Sequence, residues 1–193
     1  MDKELCRPAK RMLRRLKKAA ALEKTVVLYG ASGSGKSLLA QKLCEELRAG
    51  GKTVQVCSAR SMVDALTEKI GREELCRDTY TKKTADLLVL ENAEDLRGKS
   101  CTCGLIAGLN GGALLLISTR PLPGICAVCP PERLLVLHAK MPPLGCRLRW
   151  ILHAARRQKV RLSPLQLYRL ARLDPGRAAG ALNTIALRRC CGQ

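Results

Sequence analysis

Residues 25–47 read TVVLYGASGSGKSLLAQKLCEEL, and the fold turns on how this stretch divides. TVVLY is short, apolar and β-branched, the composition of a parallel strand buried on both faces. GASGSGKS, residues 30–37, is the Gly-x4-Gly-Lys-Ser phosphate loop. Beyond it Leu39, Leu43 and Leu47 recur at helical spacing. A phosphate loop between a strand and a helix is the context in which the motif has physical meaning. Glycines let successive backbone N–H groups turn inward around an anion, and the helix N-terminus adds partial positive charge. Lys36 is placed to reach the β- and γ-phosphates of a nucleotide, and the Ser37 hydroxyl to coordinate Mg²⁺. The expected nucleotide contacts are Gly30, Ala31, Ser32, Gly33, Ser34, Gly35, Lys36, Ser37 and Leu38, with ATP and Mg²⁺ as the bound species.

Composition sets the frame around this loop. A chain of 193 residues suits one ordinary domain, or a core with a small lid. With no Phe and one Trp, its core must be filled by aliphatic side chains and Cys. The formal net charge of +19 points to a polyanionic partner, nucleic acid before an acidic membrane surface. The basic N-terminus lacks the apolar segment of a secretory signal, and no apolar run reaches the ~18 residues of a membrane span. A reducing, cytoplasmic location is therefore expected, in which the 11 Cys act mainly as small hydrophobes.

Read in order, residues 1–22 form a basic helix with Met12, Leu13, Leu16 and Ala20 on its apolar side and Pro8 in its first turn. Gly50 and Gly51 end the helix after the phosphate loop. Residues 54–57 predict a strand, 62–70 a helix that Ser58 could cap, and 73–81 another helix. ADLLVLENAEDL, residues 85–96, contains an apolar strand closed by Glu91; a carboxylate there sits where ligands bind in an open α/β sheet. Residues 113–117 and 134–138 predict two further strands, the first followed by Ser118 and Thr119. From residue 144 the pattern is helical, with starts at Ser163-Pro164 and Asp174-Pro175 and core candidates including Trp150, Ile151, Leu162, Leu165, Tyr168, Leu170, Leu173 and Leu182. The expected organisation is a basic helix (1–22), an α/β nucleotide-binding core with a parallel sheet (23–141) and a helical lid (142–193). The pairs Cys101/Cys103 and Cys126/Cys129 are too weakly spaced to assign a metal, and His138 and His153 stand alone.

This order of elements resembles an AAA+ ATPase, and three stretches narrow the resemblance to the DnaA/Hda type of bacterial replication initiator. ADLLVLENAEDLRGK (85–99) is similar to the family's second nucleotide motif, LLLISTRPLPGI (114–125) to its sensor-1 strand with the following Arg-Pro pair, and GALN (180–183) to its sensor-2 helix. The resemblance implies a phosphate-loop AAA+ core followed by a small helical lid, in a short form without the helix-turn-helix domain that follows the lid in full-length initiators. It implies Glu91 on the Mg²⁺ side of the strand end, Asn92 on the water side, Thr119 as the sensor-1 residue and Arg177 as the sensor-2 candidate, one residue out of register.

The family's second acid is replaced by Asn92, which cannot take a proton, so the resemblance implies a slow nucleotide switch rather than a fast enzyme. Should another residue serve as base, Glu94 or Asp95 stands nearest. The stretch carrying the arginine that reaches a neighbouring subunit's nucleotide is shortened before residue 134, leaving Arg133 nearest and implying little ATP-driven assembly. Implied partners are DNA, single-stranded DNA included, held mainly through phosphates and reached through the Met62-Val63 region and Lys99, together with an initiator of the DnaA type or a replicative helicase. The rival readings are a helicase-loader or transposition-helper ATPase, a small-molecule kinase and a nucleotide-insensitive DNA-binding protein.

Overall fold

The computed structural model describes residues 6–71, 85–96 and 112–190. Among them, five strands form one all-parallel sheet: β1 (Thr25–Tyr29), β2 (Val54–Ser58), β3 (Leu87–Glu91), β4 (Ala113–Ser118) and β5 (Leu134–His138). Their spatial order is β2-β3-β4-β1-β5. The chain leaves β1 toward β2 at one edge, and later passes from β4 across β1 to β5 at the other. The C-terminal ends of β1 and β4 therefore flank the crevice where such sheets bind ligands.

Both faces of the three central strands are covered, which is why β1, β3 and β4 are continuously apolar rather than alternating. Val26 and Leu28 of β1, Leu87 and Val89 of β3, and Leu115 and Ile117 of β4 face one core. That core also holds Leu13, Leu16 and Ala19 of α1 (Arg7–Ala21) and Leu39 and Leu43 of α2 (Lys36–Ala49). Val27, Leu88, Leu90, Leu114 and Leu116 point the other way, against Ala59 and Val63 of α3 (Ala59–Gly71), Ala93, Leu96 and Ile125 of α4 (Pro123–Val128). Burying each of these larger aliphatic side chains contributes about 1.5–3 kcal/mol. Aliphatic residues alone suffice here because the three central strands, β3, β4 and β1, spend nearly every residue on one of two cores, while the edge strands β2 and β5 are partly exposed.

The helical segment is α5 (Leu144–Arg157), α6 (Pro164–Arg172) and α7 (Pro175–Cys190), with a core of its own made by Ile151, Ala155, Val160, Leu170, Ala171, Ala178 and Leu182. Ser163 starts α6 with a reciprocal capping box: its Oγ accepts from the Gln166 N–H at 3.2 Å, and the Gln166 Oε1 accepts from the Ser163 N–H at 3.0 Å. Ser58 likewise accepts from the Ser61 N–H at 3.0 Å, so α3 begins three residues before the sequence pattern suggests.

Four expected core residues are not in this core. Trp150, Leu165, Tyr168 and Leu173 are exposed, because three short helices bury only a narrow stripe that Leu170, Ala171 and Ile151 fill. Tyr168 instead lies under the Arg172 guanidinium, 5.8 Å from the ring centroid. The helix expected over residues 73–81, together with Lys99, Cys101 and Cys103, lies outside the described residues. Of the second thiol pair, Cys126 is exposed and Cys129 buried. His138 is not isolated: it stacks on Tyr29 across the β1–β5 pair, centroids 4.8 Å apart.

Candidate nucleotide site

The loop after β1 is built by glycine backbone geometry. Gly30, Gly33 and Gly35 have φ of +153°, +74° and +88°, conformations that residues with a Cβ rarely adopt. Gly30 is also sterically required, since a Cβ there would lie 2.3 Å from the Ala139 carbonyl oxygen. Its N–H donates to the Ser118 carbonyl at 3.3 Å, tying the start of the loop to the end of β4. Gly35 is the residue before α2, so the helix opens with Lys36 and its first turn faces the crevice.

Lys36 is buried, at 7% exposure, and its ammonium folds back onto the loop. Nζ donates to the carbonyls of Gly30 (2.7 Å) and Ala31 (2.9 Å) and lies 3.5 Å from Ser34 Oγ. Burial pushes the Lys36 pKa below its usual value, and the negative charge of Glu94 partly offsets that. A cation with two neutral carbonyl partners in a partly desolvated loop is poised to exchange them for phosphate oxygens.

Two neighbouring spaces border the loop and share Gly33, Gly35, Leu38 and Trp150 in their walls. One, of about 430 Å³, is lined by Ser32, Gly33, Gly35, Lys36, Ser37 and Leu38 from the loop side. Its other wall is Asn92, Glu94, Ile117, Ser118, Thr119 and Trp150. The other, of about 150 Å³, is mainly apolar, lined by Cys6, Ala9, Leu38, Leu39, Pro142, Cys146 and Trp150 among others. The larger, more polar space suits a polyphosphate and the smaller a flat apolar ring. Trp150 and Leu38 border both.

The structure thus brings together the phosphate loop, Asn92 and Thr119, as the sequence expects. It does not bring in Glu91 or Arg177. Glu91 is exposed at the end of β3 and is not part of the cavity wall. Arg177 is ion-paired to Asp174, Nε to Oδ2 3.3 Å, with its side chain 81% exposed. Of the Met62-Val63 region, Val63 is buried and Met62 partly buried against the core, while the neighbouring Arg60, Ser61 and Asp64 are exposed.

The sequence leaves Glu94 only as a fallback base beside Asp95 and reads Trp150 as a core residue; the structure places both in the cavity wall. Glu94 lies in the 3-10 turn Ala93–Leu96, and its carboxylate meets Thr119 with both oxygens. Thr119 Oγ1 donates to Oε1 at 3.0 Å and Thr119 N–H to Oε2 at 3.3 Å. Burial works to raise the Glu94 pKa, but hydrogen bonds within its own turn and from Thr119 and Ser118 outweigh it and hold the group below its usual value, ionised. The available signal was a carboxylate three residues past a strand end, where one tight turn carries it back toward the sheet.

Comparison with known proteins supports the fold. The matching family model is that of the Sigma-54 interaction domain, over residues 5–73, about a third of the chain and including the phosphate loop. No curated protein matches the sequence. Among solved structures, the chain is similar to the replication initiator DnaA bound to AMPPCP and single-stranded DNA, at 20% identity and a TM-score of 0.74, over 94% of this chain and 61% of that one. AMPPCP-bound DnaA from Aquifex aeolicus gives 19% identity and a TM-score of 0.75, over 96% and 62% respectively. Domain III of the Thermotoga maritima initiation protein DnaA gives 16% identity and a TM-score of 0.72, over 96% and 85%. The chain spans about six tenths of the first two. The chain shares the α/β fold of these DnaA structures.

Proposed function

We propose that this chain is an ATP-binding AAA+ module of the DnaA/Hda type, acting in or regulating bacterial DNA replication initiation as a slow nucleotide switch. The observation that carries the reading is the phosphate loop itself: three glycines at positive φ and a buried Lys36, held on the loop carbonyls beside a cavity that Thr119, just past β4, also lines. The triphosphate would occupy the larger space, replacing the Gly30 and Ala31 carbonyls as partners of Lys36. The base would occupy the apolar space beside Leu38, Pro142 and Trp150.

Mg²⁺ suits the oxygen donors present. The Ser37 hydroxyl lines the cavity, and Glu91, just outside its wall, would reach the ion through a water. Bound there, the ion would neutralise phosphate charge. The exposed basic surface supports DNA as a partner, held through its phosphates. No described helix is long and apolar enough to cross a membrane.

Titration of the parent and of Lys36→Ala with ATP and ADP, each with and without Mg²⁺, tests the nucleotide reading. The parent should bind both in the micromolar range or tighter and need Mg²⁺ to do so, and Lys36→Ala should lose at least about tenfold, because a charged phosphate partner is gone. Equal affinity in the two proteins would overturn it. A pull-down with and without ATP, scored for initiator, clamp, helicase and DNA, tests the replication role.

A further inference from the structure

Among the described residues the cavity wall contains one carboxylate, and it is not the one that closes the strand. The chain leaves β3 through Asn92, whose φ of +54° is left-handed, and winds at once into the 3-10 turn Ala93–Leu96. The Asp95 N–H donates to the Asn92 carbonyl at 3.0 Å and closes this turn. Ala93 and Leu96 are fully buried in the core under the sheet, so the turn is anchored at both ends. Glu94 is thereby carried into the cavity, opposite the loop that holds Lys36 and Ser37. Asp95, its neighbour, is exposed and outside the wall.

Resting on the ATP reading above, we propose that Glu94 is the general base of this site, accepting the proton of the water that attacks the γ-phosphorus of a bound nucleoside triphosphate. In that step the water oxygen bonds to phosphorus, and the bond from phosphorus to the β–γ bridging oxygen breaks. The electron pair leaves with the nucleoside diphosphate, and the water proton passes to the Glu94 carboxylate. The alternatives nearby fail on chemistry or position: Asn92 has no proton-accepting group at neutral pH, and Glu91 stands outside the cavity. Thr119 engages each carboxylate oxygen once. Ser118 and the Glu94 backbone also donate to the carboxylate, so an attacking water must share an oxygen with these donors. Thr119 is thus a positioning residue. Its hydrogen bonds fix the carboxylate and at the same time make it a weaker base, so turnover is slow but present.

The test compares the parent with Glu94→Gln, Glu94→Asp and Asn92→Asp. ATP affinity is measured with and without Mg²⁺, alongside single-turnover hydrolysis of pre-bound ATP. Glu94→Gln keeps the size of the side chain and one acceptor oxygen for Thr119, while removing the group that can take a proton. It should hold ATP within about threefold of the parent and hydrolyse it at least about 100-fold more slowly, the scale of a lost general base. Glu94→Asp should fall between the two, since it keeps the base but withdraws it by one methylene.

A Glu94→Gln protein that hydrolyses at the parent rate would overturn the proposal. So would a parent that binds ATP and releases no ADP. Selective loss of Mg²⁺-dependent affinity in Glu94→Gln would make the residue a cation ligand and also overturn it. A large gain in Asn92→Asp that persists when Glu94→Gln is added would return the role to position 92. A parent that binds no nucleotide removes the ATP reading itself, a result distinct from all of these.

Discussion

Position 30 shows how one residue holds the site together. A Cβ on Gly30 would stand 2.3 Å from the Ala139 oxygen, and that oxygen belongs to the backbone where β5 ends, so it cannot swing aside. The neighbouring N–H groups tie both strands to this point: Gly30 donates to Ser118, and Ala139 donates to Tyr29 at 2.7 Å. Gly30→Ala must therefore push β1 and β5 apart or distort the loop, and it must also hold φ near +153°. The expected cost is about 1–3 kcal/mol of stability together with most of the nucleotide affinity. Thermal unfolding and ATP titration of this variant check both. Gly35→Ala is the informative contrast: an added Cβ meets nothing within 4 Å there, so any loss of affinity would come from its φ of +88° alone. Chemistry of this kind is legible in sequence, because Gly-x4-Gly-Lys-Ser specifies a backbone path as well as side chains.

The elements were legible to differing degrees, for identifiable reasons. β1, β3, β4 and β5 are apolar runs bounded by glycines, charges or turns, and the structure places them within two residues of where the pattern does. Proline starts were equally plain: α6 and α7 begin at Pro164 and Pro175, one residue after Ser163 and Asp174. Ser163→Ala should cost α6 about 1 kcal/mol, since it removes one half of the capping box and leaves the Gln166 N–H without its acceptor. Equilibrium unfolding would show that loss, and ATP affinity would show whether this helical segment matters to the nucleotide. What the pattern could not give was the side of the lid that faces the loop. Trp150 and Ile151 are adjacent in α5, yet Ile151 is buried and Trp150 is 41% exposed over both spaces of the site. Apolar character alone does not distinguish a core position from a ligand-facing one. Glu94 stood only as a fallback, level with Asp95, for a related reason. A strand ending in Glu91-Asn92 draws attention to its last two residues, while the function of a carboxylate depends on the turn that follows, set by the left-handed Asn92 and the buried Ala93 and Leu96.

Across the whole molecule, the dominant quantity is charge: 35 Lys and Arg against 16 Asp and Glu. Its distribution over α1 is set by packing, because Leu13, Leu16 and Ala19 occupy the sheet side and leave Arg11, Arg14, Arg15, Lys17 and Lys18 exposed on the other. On the lid, Arg149, Arg156, Arg169 and Arg172 are exposed as well. Exposed cations of this density release counterions from a nucleic acid backbone, and that release depends on salt rather than on base sequence. DNA binding should therefore be sequence-tolerant. With ~6 phosphate contacts, affinity for a single strand should fall by ~10²–10³ between ~50 and ~200 mM salt. Low aromatic content sharpens the expectation, since three Tyr and one Trp offer few platforms for base stacking. Deleting α1 would be a poor test, because it would also remove Leu13 and Leu16 from the core. Reversing charge on the exposed face, with Arg11, Arg14 and Arg15 all changed to Glu, leaves that core intact. This triple variant should bind oligonucleotide far more weakly, show a shallower slope of log Kd against log salt, and keep the parent's affinity for ATP. An affinity for DNA that stays flat as salt rises would rule out backbone charge as its source. An unchanged slope in the triple variant would move the binding face away from α1.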